Sequence, residues 1–244
     1  MPIIKFNTFR KKSKNMIQGC IFDIGGTLIR TEDALLSAIK QTLLENKLTP
    51  PPDEKIFIHF GVGHRNIFRK IIPPLCKENA GSLIKKCYEQ FEARYPHEFL
   101  NKFQLLPYAE ECLKELNKKG IKTACQTGME RREAVLLLEH FKILKYFPIL
   151  VAFEDVTKPR PHPEALKLAI KKMGINKTRV LYIGDTITDI QFAKNAGVKI
   201  ACVTTGPQKR RILEKEKPDY LINNLSELVD LINTFEHTSS SAAR

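Results

Sequence analysis

The sequence contains no tryptophan, no CxxC pair and no apolar run near the length of a membrane-spanning helix. Such a helix needs about 20 mostly apolar residues, so no membrane span is expected. The six cysteines suggest neither a zinc site nor a disulfide framework, and three of them, Cys20, Cys125 and Cys202, lie in or beside β-branched runs. We therefore expect reduced, buried thiols and a cytoplasmic protein.

Acidic residues are absent from residues 1–16, which carry five basic residues. This stretch also lacks the apolar segment of a secretory signal, so we interpret it as a basic tail, with binding to anionic surfaces or an organellar presequence left open. The whole chain has a formal net charge of +13. Because no nucleic-acid-binding motif accompanies this charge, it favours small anionic substrates as partners and no nucleic acid. The sequence does not indicate an oligomeric state.

From residue 105 onward, short β-branched segments alternate with helical ones. This alternation predicts an α/β fold, a Rossmann-like parallel sheet covered by helices on both faces. The predicted strands are Lys122–Cys125, Ile149–Phe153, Val180–Ile183, Lys199–Val203 and Tyr220–Ile222. The predicted helices are Tyr108–Lys119, Met129–His140, Pro163–Met173, Ile187–Asn195, a short one after Pro207, and Leu225–Phe235.

One earlier strand, Ile17–Ile24, is separated from the next by a stretch far too long for a loop. That stretch is helical in pattern, with predicted helices at Ala34–Glu45, Asp53–Phe60, Asn66–Ile72 and Ser82–Tyr95. The pattern predicts a helical cap, residues 32–104, inserted into a core. The core comprises residues 17–31 and 105–236, and residues 237–244 form a C-terminal tail.

Four short segments with polar side chains fall at or beside predicted strand ends and contribute Asp23, Thr127, Lys158 and the pair Asp185 and Asp189. The carboxyl ends of parallel strands meet at one edge of the sheet, where side chains from separate strands converge. The spacing of Asp185 and Asp189 lets both reach one ion. Carboxylate oxygens suit Mg²⁺, and a divalent ion with an ammonium group would offset the repulsion between a carboxylate nucleophile and a phosphate.

Each segment taken alone also has a purely structural interpretation. Residues 127–130 and 186–189 match the pattern of a helix capping box. Lys158 precedes a proline turn, and Asp23 precedes a glycine pair. The coincidence of all four segments at one edge favours a site for phosphoryl chemistry.

With these segments in this order, the chain resembles the haloacid dehalogenase superfamily between residue 17 and about residue 235. The likeness is to its capped phosphatase branch, near the phosphoglycolate phosphatases and β-phosphoglucomutase-like hydrolases. The resemblance implies that Asp23 attacks phosphorus to form an aspartyl-phosphate, that Thr127 and Gly128 bind the phosphoryl group, and that Lys158 balances the charge. It further implies a Mg²⁺ held, directly or through its waters, by Asp23, the Gly25 carbonyl, Asp185 and Asp189.

The first motif departs from that family at Gly25. Most of these phosphatases carry a second aspartate there, which protonates the leaving alcohol and then activates water. Loss of a positioned acid or base typically lowers the rate by about 10²- to 10⁴-fold. The cap could supply the proton instead through His59, His64 or Arg65, and His64 and Arg65 also lie where the family places residues that bind the substrate.

The sequence leaves different chemistry at the same nucleophile open. Carbon–phosphorus cleavage, as in phosphonoacetaldehyde hydrolases, would need a Schiff-base lysine from the cap, where Lys55 and Lys70 are the candidates. Dehalogenases of this superfamily do not use the metal, so the retained acids at positions 185 and 189 disfavour dehalogenation. A slow or non-catalytic protein that binds phosphorylated ligands also fits the pattern. We favour a Mg²⁺-dependent phosphohydrolase acting on a small phosphorylated metabolite.

Overall fold

The computed structural model describes residues 16–76 and 79–237. The predicted basic tail at 1–16 and the C-terminal tail at 237–244 therefore lie outside the described residues, apart from one residue of each. None of the helices in the described part of the chain is long and apolar enough to cross a membrane. All six cysteines are free, and Cys20, Cys125 and Cys202 are buried as expected.

The core is a parallel sheet of six strands in the order β5-β4-β1-β6-β7-β8. These strands are β1 (Gly19–Phe22), β4 (Lys122–Gln126), β5 (Leu150–Val151), β6 (Val180–Gly184), β7 (Lys199–Val203) and β8 (Tyr220–Ile222). The first of them in the chain, β1, pairs with β4 on one side and β6 on the other. Residues that follow these three strands therefore meet at the middle of the carboxyl edge, and the predicted α/β architecture is confirmed.

Helices cover both faces of the sheet because side chains alternate along each strand. Phe22 faces a core that includes Leu113, whereas Ile21 faces a second core that includes Leu166. The core helices are α5 (Ala109–Lys118), α6 (Arg131–His140), α7 (Glu164–Met173), α8 (Ile187–Ala196), α9 (Arg210–Lys215) and α10 (Ser226–His237). They agree with the predicted helices to within a few residues at each end.

The inserted segment between β1 and β4 is helical, as predicted. It contains α1 (Glu32–Glu45), α2 (Asp53–Phe57), α3 (His64–Ile71) and α4 (Ala80–Arg94). Two short antiparallel strands that the sequence did not reveal, β2 (Ile29–Arg30) and β3 (Gln104–Leu105), pair where the chain leaves and re-enters the core. β2 ends two residues before residue 32, and β3 spans residues 104 and 105.

Candidate active site

Three aspartates meet at the centre of the sheet edge. Asp23 follows β1, and its N–H donates to the carbonyl of Ile183 at 2.9 Å. Asp185 follows β6, and Asp189 lies in the first turn of α8. Their exposed fractions are 5%, 1% and 0%, and one carboxylate oxygen from each lies within 4.8 Å of the others. The structure thus brings together the three acids that the sequence singled out.

Arg160 enters this cluster as its cationic partner. Its Nη2 donates to Asp23 Oδ1 at 2.6 Å and to the carbonyl of Gln126 at 3.0 Å, while Nη1 donates to Asp189 Oδ1 at 2.7 Å. The guanidinium lies 5.4 Å from the ring centre of Phe192, and its side chain is 2% exposed. Planar forked donors of this kind match carboxylate geometry better than an ammonium group does.

Lys158, to which the sequence assigned this role, has an exposed side chain and is not brought to Asp23. The N–H groups of Thr157 and Lys158 donate to the Glu164 carboxylate at 3.2 and 3.1 Å, which fixes this part of the loop at the exposed start of α7. The chain turns inward only at Arg160. The signal that sequence reasoning missed is a second basic residue, flanked by prolines, two positions after the lysine.

Asp189 is already fully hydrogen bonded within the protein. Its Oδ1 accepts from Arg160 and from the Tyr182 hydroxyl at 2.7 Å. Its Oδ2 accepts from the hydroxyl and the N–H of Thr186 at 2.6 and 3.1 Å, which completes the predicted capping box of α8. Asp189 therefore orients Arg160 and the start of α8, and one of its carboxylate oxygens also lies within 4.8 Å of oxygens on Asp23 and Asp185.

Asp185 is held by the hydroxyl of Thr27, a residue that no sequence motif indicated. Thr27 Oγ1 donates to Asp185 Oδ1 at 2.9 Å. Burial, together with the charges of Asp189 and Asp23, raises the pKa of Asp185 well above its ordinary value. Burial also raises the pKa of Asp23 to about 6, although Arg160 acts in the opposite direction.

The charges of the cluster do not balance without a further cation. Three carboxylates face one guanidinium among the described residues, which leaves two negative charges when all are ionised. Isolated buried charge is strongly unfavourable. The carboxylate oxygens are hard donors, and Gly25 lines the same cavity, so the site fits a divalent cation such as Mg²⁺ in both charge and chemistry.

Thr127 and Gly128 follow β4 and complete the edge. The predicted capping box at Thr127 does not form, because α6 begins at Arg131 with Glu130 as its cap. The Thr127 hydroxyl instead accepts from the Met129 N–H at 3.2 Å. A Cβ atom at position 128 would lie 3.0 Å from the Gly61 carbonyl oxygen. Only glycine therefore allows the cap to approach the core this closely.

Cap and core enclose a cavity of about 50 Å³, which we call the catalytic chamber. Asp23, Thr127, Gly128 and Asp185 line it from the core, and Phe60, Gly61, His64 and Ile67 line it from the cap. The structure thus places His64 with the predicted core residues. Arg65 points elsewhere, with an exposed side chain 5.8 Å from the ring centre of Tyr88.

Known proteins share both the sequence pattern and the fold. The model of the haloacid dehalogenase-like hydrolase family matches residues 20–203. Pyrophosphatase PpaX of Bacillus mycoides is 28% identical over 89% of this chain and 97% of the relative. Phosphoglycolate phosphatase of Pectobacterium atrosepticum is 27% identical over 92% of this chain and 94% of the relative.

Solved structures agree at the level of the fold. A predicted phosphoglycolate phosphatase from Haemophilus somnus superposes with a TM-score of 0.80 at 22% identity, covering 88% of this chain and 97% of that one. CbbY from Rhodobacter sphaeroides, in complex with phosphate, gives a TM-score of 0.69 at 18% identity over 87% of this chain and 96% of that one. The family match, the α/β sheet and the acidic cluster after β1 and β6 agree, and the chain belongs to the haloacid dehalogenase-like hydrolase family.

Proposed function

We propose that this protein is a Mg²⁺-dependent phosphohydrolase that forms an aspartyl-phosphate on Asp23 and acts on a small phosphorylated metabolite. The observation that carries the proposal is the buried cluster of Asp23, Asp185 and Asp189 with Arg160, its one guanidinium partner in the described part of the chain. Its two uncompensated negative charges call for a divalent cation. Asp23 and Asp185, with the Gly25 carbonyl, are proposed to hold that cation, and Asp189 is proposed to act through Arg160.

When bound, Mg²⁺ supplies charge that offsets the repulsion between the Asp23 carboxylate and a phosphate dianion. Two observations support Asp23 as the nucleophile: it lines the chamber, and Arg160 donates a hydrogen bond to its Oδ1. The guanidinium of Arg160 lowers the cost of adding negative charge to this site. Thr127, which also lines the chamber, is proposed to donate its hydroxyl to a phosphoryl oxygen.

The chamber limits the substrate. Its volume of about 50 Å³ favours a small substrate. The lining includes Leu35, Ile67 and Met129 but no lysine or arginine among the described residues, so it favours a leaving group without negative charge of its own. Phosphoglycolate and pyrophosphate, after which the relatives are named, are the charged candidates to compare.

Six free thiols accord with the predicted cytoplasmic location.

Carbon–phosphorus cleavage finds less support. A Schiff base would require a lysine amine within the chamber. Lys55 and Lys70, the candidates from the cap, are exposed and are not among the residues that line it. A protein that only binds phosphorylated ligands would release phosphate from none of the compounds tested. A substrate panel therefore distinguishes this alternative from a phosphohydrolase.

The test is such a panel with purified wild type and Asp23→Asn, each assayed with Mg²⁺ and with a chelator. The panel comprises ethyl phosphate, acetyl phosphate, phosphoglycolate, pyrophosphate, phosphonoacetaldehyde and a haloacid. We expect phosphate release from a phosphate ester or acetyl phosphate by the wild type with Mg²⁺ only, and none by Asp23→Asn. Undiminished release by that variant, or no release from any compound by the wild type, would contradict the proposal.

A further inference from the structure

The catalytic chamber contains two titratable side chains that the proposed function does not use. Of its lining residues Asp23, Glu32, His64 and Asp185 can ionise, and Asp23 and Asp185 already have roles. Glu32 is engaged at the start of α1, where its Oε2 accepts from the Thr31 N–H at 3.0 Å and its Oε1 lies 3.6 Å from Arg30 Nε. His64 is therefore the remaining candidate for proton transfer.

His64 is held in one orientation by both domains. It is the first residue of α3 and is 8% exposed. Its ring packs edge to face against Phe91 and Tyr95 of the cap, at centroid distances of 5.0 and 5.2 Å. Its Nδ1 lies 3.4 Å from Glu133 Oε2, on α6 of the core, and 3.5 Å from Glu92 Oε1, on α4 of the cap. With Nδ1 directed at these carboxylates, Nε2 is the nitrogen left for a ligand in the chamber.

The neighbouring carboxylates favour the protonated form of the imidazole. Burial lowers the pKa of His64, but the charges of Glu133, Glu92 and Glu130 outweigh burial and raise it above its ordinary value. Burial raises the pKa of Glu133 itself to about 7. A carboxylate behind the ring fixes the tautomer and stabilises the imidazolium, the arrangement that makes histidine an effective acid and base.

A second cavity lies beside the two carboxylates that face His64. It measures about 360 Å³ between α4 and α6, and its lining includes Glu92, Glu133, Tyr95 and Glu130. His64 lines the chamber, while Glu92 and Glu133 line this groove. The contacts of His64 Nδ1 with the two carboxylates thus link the groove to the chamber.

We propose that His64, oriented by Glu92 and Glu133, is the general acid and base that serves in place of a side chain at Gly25. This inference rests on the proposed function. In the first step Asp23 forms a bond to phosphorus, the bond from phosphorus to the leaving oxygen breaks, and Nε2–H of the imidazolium protonates that oxygen. In the second step neutral Nε2 takes a proton from water as the water oxygen attacks phosphorus, which releases phosphate and restores the Asp23 carboxylate.

The experiment compares His64→Gln with wild type on ethyl phosphate and acetyl phosphate, two substrates of similar size. Acetate can leave without being protonated, whereas ethoxide must be protonated as it leaves. We expect kcat/KM for ethyl phosphate to fall by about 10²- to 10⁴-fold and kcat/KM for acetyl phosphate to change only slightly. Phosphoenzyme should accumulate in His64→Gln during acetyl phosphate turnover, because its hydrolysis lacks a base, and intact-protein mass spectrometry detects it.

Glu32→Gln is the matched control, since it removes the other unassigned titratable group of the chamber. It should leave the ratio of the two kcat/KM values unchanged.

Glu133→Gln tests whether Glu133 positions His64. Because Glu133 raises the pKa of His64, the alkaline limb of the pH profile of kcat/KM for ethyl phosphate should move to lower pH in this variant. This pH shift keeps the proposal testable if His64→Gln fails to fold, which melting curves would reveal.

Two results would overturn the role of His64. One is an equal effect of His64→Gln on both substrates, and the other is a selective loss with ethyl phosphate in Glu32→Gln. Failure of the proposed function looks different, because the wild type would then release phosphate from neither substrate with Mg²⁺.

Discussion

Arg160 donates from Nη2 to Oδ1 of Asp23 at 2.6 Å, across 137 positions of the chain. The same guanidinium donates from Nη1 to Asp189 at 2.7 Å, and the Tyr182 hydroxyl donates to the same oxygen of that carboxylate. The candidate nucleophile is thereby tied to the start of α8 through a chain of buried, charge-assisted hydrogen bonds. Such networks fix side-chain positions because each member restricts the next.

This contact predicts that Arg160, and not Lys158, supports the reaction at Asp23. Arg160→Gln should lower kcat/KM for acetyl phosphate by about 10²- to 10³-fold, the effect of removing one preorganised charge-stabilising donor. Arg160→Lys should lose less, since the charge remains but the fork does not. Lys158→Gln, the matched control two residues away, should stay within about twofold of wild type, as expected for an exposed side chain.

Melting curves must accompany these assays. Removing one partner of a buried ion pair destabilises a protein by about 3–5 kcal/mol, so Arg160→Gln requires assay well below its melting temperature. A loss in Lys158→Gln as large as that in Arg160→Gln would return the role to the lysine that the sequence motif indicated.

The contrast between these two residues shows what the sequence could establish. Asp23, Thr127 and Asp185 were predictable as neighbours because strand ends of a parallel sheet converge, whatever the details of the loops. Which of two basic residues turns inward is not determined by the sheet. It depends on the anchoring of the loop by Glu164, a contact between an exposed helix start and two backbone N–H groups.

Several features of the fold and of the site could not be predicted from the sequence. Strands β2 and β3 have two residues each, too few to show an alternating pattern. The capping box at Thr186 forms and the similar one at Thr127 does not, because Glu154 accepts from the N–H of Arg131 and α6 begins there. His64 was one of three cap candidates in the sequence, and only the packing of α3 against α4 and α6 separates it from Arg65 and His59.

The buried aspartates predict that Mg²⁺ stabilises the protein more at neutral than at acidic pH. Burial raises the pKa of Asp23 from 3.8 to about 6. Between those values the folded state binds more protons than the unfolded state, so this group's contribution to stability falls as pH rises through that window. At pH values above this window the Asp23 carboxylate is ionised, and Mg²⁺ offsets its charge. The melting temperature should therefore rise with Mg²⁺ by more at about pH 7.5 than at about pH 5.

Asp185→Asn isolates this effect because it removes one buried charge with little change in shape. Without metal, this variant should melt a few degrees above the wild type, and Mg²⁺ should no longer shift its melting temperature. Scanning calorimetry of both proteins at the two pH values measures each quantity. A Mg²⁺ shift that is the same at both pH values and persists in Asp185→Asn would place the ion elsewhere.

The glycine at position 25 predicts a gain of function. A Cβ atom there would lie 2.7 Å from Thr31 Oγ1 and 3.4 Å from Met129 Cε, so a side chain fits only if the threonine hydroxyl moves. Thr31 caps α1 without a side-chain hydrogen bond, and Thr31→Ala therefore removes the clash at little cost to the helix. The double variant Gly25→Asp with Thr31→Ala should then offer a carboxyl group as proton donor.

Measured against Thr31→Ala alone, the double variant should raise kcat/KM for ethyl phosphate more than for acetyl phosphate, since only the former needs a proton donor. Added to His64→Gln, it should restore part of the ethyl phosphate activity, because a second acid then performs the step that the histidine performed. Equal effects on both substrates would mean that proton transfer to the leaving group does not limit the rate. Gly25 would then reflect only the space that Thr31 and Met129 leave between β1 and the cap.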